Sequence, residues 1–261
     1  METNFDTNRG VILNAAYAEY FAGQLPFIGR AGQESLILSQ AAVVGVGKLG
    51  ATAALALHAA GVGRLVLVDP ERVEAEQLGP MWFLRRDQIG VPRVQAVADL
   101  LKYRPYGQVE TVMKSAEAPE VTSVIRRSQV VLCCGDTMSA RLAIERRAIA
   151  QRVPVLQVAA LGGRERWGGI ITVHRPETRG GGCCECLAQD QPGIERPNGG
   201  LFTTVTALVA TFAAHIATLI VCDPTSVSLE HNAFFVDGVS GTIEPRAVSR
   251  REGCAKCISQ V

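Results

Sequence analysis

A glycine-rich loop, Gly45-Val46-Gly47-Lys48-Leu49-Gly50, constrains this chain more than any other feature. Ala41-Ala42-Val43-Val44 leads into it, an apolar run that reads as a buried strand meeting a tight turn. Residues 51–60 are rich in Ala and Leu and close on Gly61-Val62-Gly63, which reads as a helix and its stop. Arg64-Leu65-Val66-Leu67-Val68 is a second apolar strand, ending at Asp69-Pro70. Strand, turn, helix and strand within about 30 residues form the βαβ unit in which a Gly-x-Gly-x-x-Gly sequence carries mechanical meaning. Gly45 permits the sharp turn, Gly47 lets a phosphate approach the backbone, and Gly50 lets the helix pack on the strand. The helix start offers unpaired N–H groups and a positive dipole end to an anion. Asp69 follows Gly50 by 19 residues, where a carboxylate can accept both ribose hydroxyls. The competing reading is a Gly-rich turn with no ligand.

Alternation continues beyond this unit. Residues 92–103 read as an amphipathic helix stopped by Arg104-Pro105, and 109–113 as a strand. Residues 119–127 read as a helix, 129–134 as an apolar strand ending in Gly135-Asp136, 139–151 as a helix and 154–161 as a strand. From Gly162 the regular pattern stops, with Gly180-Gly181-Gly182 and Pro192-Gly193 marking loops. The expected fold is α/β: a doubly wound Rossmann-like parallel sheet with a cysteine-bearing C-terminal segment. Residues 1–29 stand apart as an N-terminal helical segment, with a helix around 15–23 and a break at Pro26.

The C-terminal segment holds two Cys-x-x-Cys pairs, Cys183/Cys186 and Cys254/Cys257. Two short knuckles converging on one ion are how a tetrahedral zinc site collects thiolates, with Cys184 an alternative to Cys183. Four thiolates leave no open position, so such a zinc holds structure together. The competing reading is reduced, unligated cysteine. The first residues show no secretory pattern, so reduced thiols and a cytoplasmic location are expected. Net charge is +1, with 26 basic and 25 acidic residues, which gives no bulk field for nucleic acid or an anionic membrane. Residues 201–222 carry no formal charge and are long enough to span a bilayer. Five threonines, His215 and the lack of a basic flank favour a buried core or interface helix instead. Cys133-Cys134 read as strand packing; His58 and His215 read as core or cap residues, and His174 and His231 lack an obvious partner set.

The glycine loop and Asp69, then Gly90-Val91-Pro92-Arg93 opening a helix, then Cys134-Gly135-Asp136 after a strand, and finally the paired knuckles, occur in one order. In this the chain resembles the ThiF/MoeB/HesA family, bacterial relatives of ubiquitin-activating E1 enzymes. The similarity runs from about Pro26 to Cys257 and makes residues 30–261 one E1-like adenylation domain. The resemblance implies ATP, Mg2+ and Zn2+, a homodimer, and adenylation of a C-terminal carboxylate on a small ubiquitin-like or sulfur-carrier protein ending in Gly-Gly. By position it implies that Gly45, Gly47 and Gly50 line the adenosine and phosphate site and that Asp69 holds the ribose. Arg93 stands where the family has a phosphate-side lysine, and Asp136 is the magnesium carboxylate; the alternative for Asp136 is a helix N-cap.

Departures lie on the phosphate side. Ala18-Glu19-Tyr20-Phe21 lacks the family's N-terminal arginines, Pro80 stands in place of a phosphate-binding arginine, and Lys48 replaces a loop glycine. Arg85, Arg86 and Lys48 are candidate substitutes, or else solvated charges. Trp82-Phe83 reads as a crossover-loop anchor or a dimer contact. No cysteine lies between Cys186 and Cys222, the interval near Glu195, Arg196, Pro197 and Asn198 where relatives carry a thioester- or persulfide-forming cysteine. Three readings therefore stand: carboxylate adenylation without a cysteine step, a non-catalytic relative that binds nucleotide or carrier, and an NAD(P)-dependent oxidoreductase.

Overall fold

A computed structural model describes residues 15–102, 106–162, 167–175, 181–190, 202–223 and 231–254. Cys257 and the 195–198 stretch lie outside the described residues.

Strands β1 (Gln40–Val44) and β2 (Arg64–Val68) flank the helix α3 (Lys48–Ala60), which follows α1 (Ala15–Tyr20) and α2 (Leu25–Leu38). Every residue of β1 is buried, as expected of a parallel strand covered on both faces. Its side chains alternate: Ala41 and Val43 join one core, Ala42 and Val44 the other. Gly61 ends α3 with φ 97°, a left-handed cap that only glycine adopts cheaply. Next come α4 (Arg93–Leu101), β3 (Gln108–Val112), α5 (Glu120–Arg127), β4 (Val130–Cys133), α6 (Met138–Gln151) and β5 (Val155–Leu161). The chain ends in β6 (Gly168–His174), α7 (Cys184–Asp190), α8 (Thr203–Cys222), β7 (Ala233–Asp237) and β8 (Ile243–Arg246).

The sheet has eight strands in the order β3-β2-β1-β4-β5-β6-β7-β8. The first five pair in parallel, giving the doubly wound half expected, with α5 and α6 on one face and α3, α4 and α8 on the other. The last three strands add in antiparallel pairing. That is where the alternation fades in the sequence: antiparallel neighbours need no helical crossover between them.

One expectation at the N-terminal side is corrected. Pro26 does not break the chain. It sits in the first turn of α2, where the missing N–H costs nothing, and the irregularity falls at Gly29, with φ 67°. Helix α1 and the turn after it pin to the body through Tyr17 and Phe21, which cluster with Tyr106, while the Tyr17 hydroxyl donates to the Gly61 carbonyl at 2.9 Å. Long apolar α8 is a core helix: Val209, Ala210, Ala213 and Ala217 are fully buried, and it packs on α3, β5 and β6. Gly169 in β6 makes this possible, because a Cβ there would lie 2.4 Å from Val209 Cγ2.

Candidate functional site

Register fixes the site. Val44 pairs with Val68 on one side and Cys133 on the other, so the residues that follow, Gly45, Asp69 and Cys134, emerge side by side. Strand order reverses at β1, which makes this carboxyl edge the switch point where open α/β sheets take ligands. Gly45 has φ 88°, and a Cβ on it would meet the Cys134 carbonyl carbon and Gly135 nitrogen at 2.8 Å. At Gly50 a Cβ would strike the Gly45 carbonyl oxygen. Gly47 is different: nothing lies within 4 Å of where its Cβ would be, so the backbone there is open to a ligand. The three glycines thus have three distinct steric settings, two closed and one open.

The buried carboxylate of Asp69 shapes the loop. Its Oδ2 accepts from the Val46 amide at 2.6 Å and its Oδ1 from the Glu71 amide at 2.8 Å. Lys48 opens α3 beyond the N-cap Gly47, which has no side-chain cap, and the first turn holds no acidic residue. The Lys48 side chain is partly buried and makes no hydrogen bond or ion pair among the described residues. A cation at a helix's positive end is mildly unfavourable, by about 0.3–1 kcal/mol, unless an anion joins it. Asp136 is exposed at the end of β4, likewise with no partner among the described residues. It is not the N-cap of α6: Thr137 is, accepting from the Ala140 amide at 3.1 Å.

Arg93 is engaged. Its guanidinium pairs with Glu71, lies 3.8 Å from Asp69 Oδ2 and donates through Nε to Gln77 Oε1 at 3.1 Å. Gln77 also accepts from the Glu74 amide, so this short turn ties Arg93 to the segment carrying Pro80. Arg85 is held on Asp87, with contacts of 3.0 and 3.1 Å, whereas Arg86 is exposed. Burial pushes the Cys134 thiol up to about 12 and raises Cys133 too, which keeps both protonated and supports packing over nucleophilic work. Trp82 is exposed and meets Phe83 edge-on.

The second cluster is Cys183, Cys186 and Cys254, all buried, with sulfurs within 4.8 Å of one another. Cys183 Sγ lies 3.7 Å from Cys186 Sγ and 3.8 Å from Cys254 Sγ, far beyond a disulfide bond. A tetrahedral zinc with sulfurs at about 2.3 Å has thiolate edges of about 3.8 Å, so the spacing fits that ion. The Arg251 amide points at Cys186 Sγ at 3.4 Å, a donor suited to a thiolate. Gly182 lets the two knuckle segments touch: its amide donates to the Val248 carbonyl at 2.8 Å. Cys184 faces the other way. Its thiol donates to Glu145 Oε2 at 2.9 Å, and its amide meets both carboxylate oxygens at 3.0 and 3.2 Å. Cys183, and not Cys184, therefore joins the cluster.

Sequence reasoning missed Glu71, Gln77 and Glu145, because each acts through a partner distant in the chain. Thr137 was detectable, since Thr before a helix start is a common N-cap. Two further concavities lie away from the edge: about 450 Å³ beside Ser39, Gln129 and Arg175, and about 320 Å³ between α2, α3 and α8.

An α/β sheet with a glycine loop at its switch point and a thiol cluster beyond defines a class of nucleotide-binding scaffold. The ThiF family profile matches residues 21–256, and the chain belongs to the ThiF family. Among its relatives, the sulfur carrier protein ThiS adenylyltransferase of Escherichia coli (strain K12) is 30% identical over 229 residues, 87% of this chain and 88% of that protein. Protein HesA of Leptolyngbya boryana is 30% identical, covering 73% of this chain and 67% of that one. Among solved structures, E. coli MccB with ATP superposes with TM-score 0.73 at 15% identity, over 91% of this chain and 74% of that chain. PaaA superposes with TM-score 0.75 at 18% identity, over 93% and 86%. These last two establish a shared fold.

Proposed function

We propose that this chain adenylates a carboxylate. A carboxylate oxygen attacks the α-phosphorus of ATP, an acyl-adenylate forms, and the bond to the pyrophosphate leaving group breaks. The observation that carries this reading is the switch-point edge itself, which bears an open Gly47, a buried Asp69, and Lys48 and Asp136, neither with a side-chain partner among the described residues. It is supported by a ThiS adenylyltransferase of nearly matching length. The acceptor is a small carrier protein ending in Gly-Gly, a short peptide or a small metabolite, with no cysteine-bound intermediate.

Bringing two anions together demands positive charge that is in place before reaction. Lys48 and the first-turn amides of α3 supply it on the phosphates. Gly47 lets those phosphates reach the backbone, Gly45 and Gly50 keep the loop folded beneath them, and Asp69 receives the ribose. Arg93 reaches the phosphates by exchanging its Glu71 contact for them. Magnesium, when bound with ATP, neutralises phosphate charge, and Asp136 is the carboxylate offered to it. Cys183, Cys186 and Cys254 hold a structural zinc, with Cys257 as fourth ligand. We further propose residues 30–261 as the catalytic unit, working as a homodimer in the cytoplasm.

Carrier-dependent ATP–pyrophosphate exchange tests the reaction. Exchange with a Gly-Gly-ending carrier that is lost in Asp136→Ala is the expected result. Tight nucleotide binding with no exchange on any carrier or peptide sinks it. A second reading, a relative that binds nucleotide without activating a carboxylate, is favoured by the engagement of Arg93 with Glu71 and by Pro80; that outcome would establish it.

A further inference from the structure

Two adjacent cysteines compete for one position in the knuckle. Cys183 and Cys184 stand next to each other, and only one of them can join Cys186 and Cys254 at an ion. Burial does not separate them, since both side chains are buried; the Cys-x-x-Cys spacing to Cys186 favours Cys183, but Cys184 is only one residue away. What separates them is Glu145. This carboxylate comes from the middle of α6, is 2% exposed, and makes no ion pair among the described residues. Both its oxygens face the amide of Cys184, the first residue of α7, and Oε2 also takes the Cys184 thiol.

A buried carboxylate without a cation is costly, so its hydrogen-bond donors matter. Among the described residues its three donor contacts all come from Cys184, one residue from the cluster. Held at backbone and side chain together, Cys184 is fixed in rotation, and the preceding Cys183 is thereby turned inward. There its sulfur stands 3.7 and 3.8 Å from the other two.

We propose that Glu145 is a positioning residue for the metal knuckle, selecting Cys183 over Cys184 as the ligand. The proposal rests on the zinc reading above and adds to it the group that sets the ligand register. Without Glu145, two registers interconvert at the ion, and metal escapes during the exchange. Partners of this kind change metal affinity by about 10–100-fold.

The test uses the full chain loaded with zinc, with release followed by a chromogenic chelator. Cobalt(II) loading reads the number of thiolates from sulfur-to-metal charge-transfer absorption. Glu145→Ala should release zinc at least about tenfold faster than the unaltered chain, with Glu145→Gln between them. Cys184→Ala alone should stay within about twofold of the unaltered chain. Adding Cys184→Ala to Glu145→Ala removes the competitor and should restore slow release and the full cobalt spectrum. Loss of packing alone predicts the opposite, since the double variant has fewer atoms in the same place. Should Glu145→Ala fail to fold, Glu145→Gln with and without Cys184→Ala carries the same comparison. Metal-loaded variants with release rates equal to the unaltered chain, or a double variant no slower than the single one, overturn the role of Glu145. An unaltered chain that takes up neither zinc nor cobalt overturns the zinc reading and this proposal with it.

Discussion

Lys48 sits at the start of α3 with nothing anionic in the first turn to answer it. In the proposed reaction that answer is a phosphate. Lys48→Ala should therefore lower carrier-dependent exchange by about 10²-fold, as removal of one preorganised donor does elsewhere, while Lys48→Arg keeps most of it. Equal exchange rates for both variants would remove Lys48 from the phosphate side. His174 carries a different consequence. Burial in β6 holds its imidazole below the ordinary value of 6.5. The unfolded chain then takes up this proton before the folded chain does. Stability present above that ordinary value is lost as pH falls through the folded pKa. Urea midpoints measured downward from neutral pH should fall, and His174→Leu should flatten that slope. Parallel pH profiles for the two chains would count against it.

At the level of elements, α8 lies flat on the sheet because β6 offers Gly169 beneath it. A methyl there meets a fully buried, β-branched Val209 at 2.4 Å and the Ala159 carbonyl at 2.9 Å, neither with room to retreat. Gly169→Ala should cost about 1–3 kcal/mol or more by overpacking, read as a lower Tm; an unchanged Tm would show that α8 slides freely. The same elements show what the sequence made legible. The glycine loop, the βαβ unit and the first five strands were readable because apolar period, turn residues and helix stops all agree there. Helix α2 was not, since Pro26 and Gly29 look like breakers until one sees that the first occupies a helix start and the second a kink. Among the antiparallel strands, β8 was hidden because it is exposed along its length and has no apolar alternation to show. At the site, the tight turn at Gly45 and the close approach at Gly50 followed from local chemistry. The hold of Glu71 and Gln77 on Arg93 did not, because it depends on a bend that closes 16 to 22 residues of chain.

Across the whole molecule, the cysteines belong to a small core of their own with Ile170, Leu187, Ala233 and Val248, apart from the two cores that flank the parallel sheet. Stripping the proposed zinc should loosen this satellite and spare the rest. Hydrogen exchange after chelation is expected to speed up in 181–187 and 231–254 and to stay slow in β1, β2 and β4. Uniform loss of protection would mean that one cooperative unit spans both. The larger core has its own dependence, for α3, whose first turn carries the glycine loop, is flanked by α8. On a ribosome these two helices are made far apart in time. After Ala60 is added, 142 residues follow before Thr203, about 7–30 s of synthesis at about 5–20 residues/s. Throughout that interval the apolar flank of α3 is without its neighbour and open to chaperones or to other nascent chains. The glycine loop stands early in the sequence, yet the helix behind it is among the last parts to be secured.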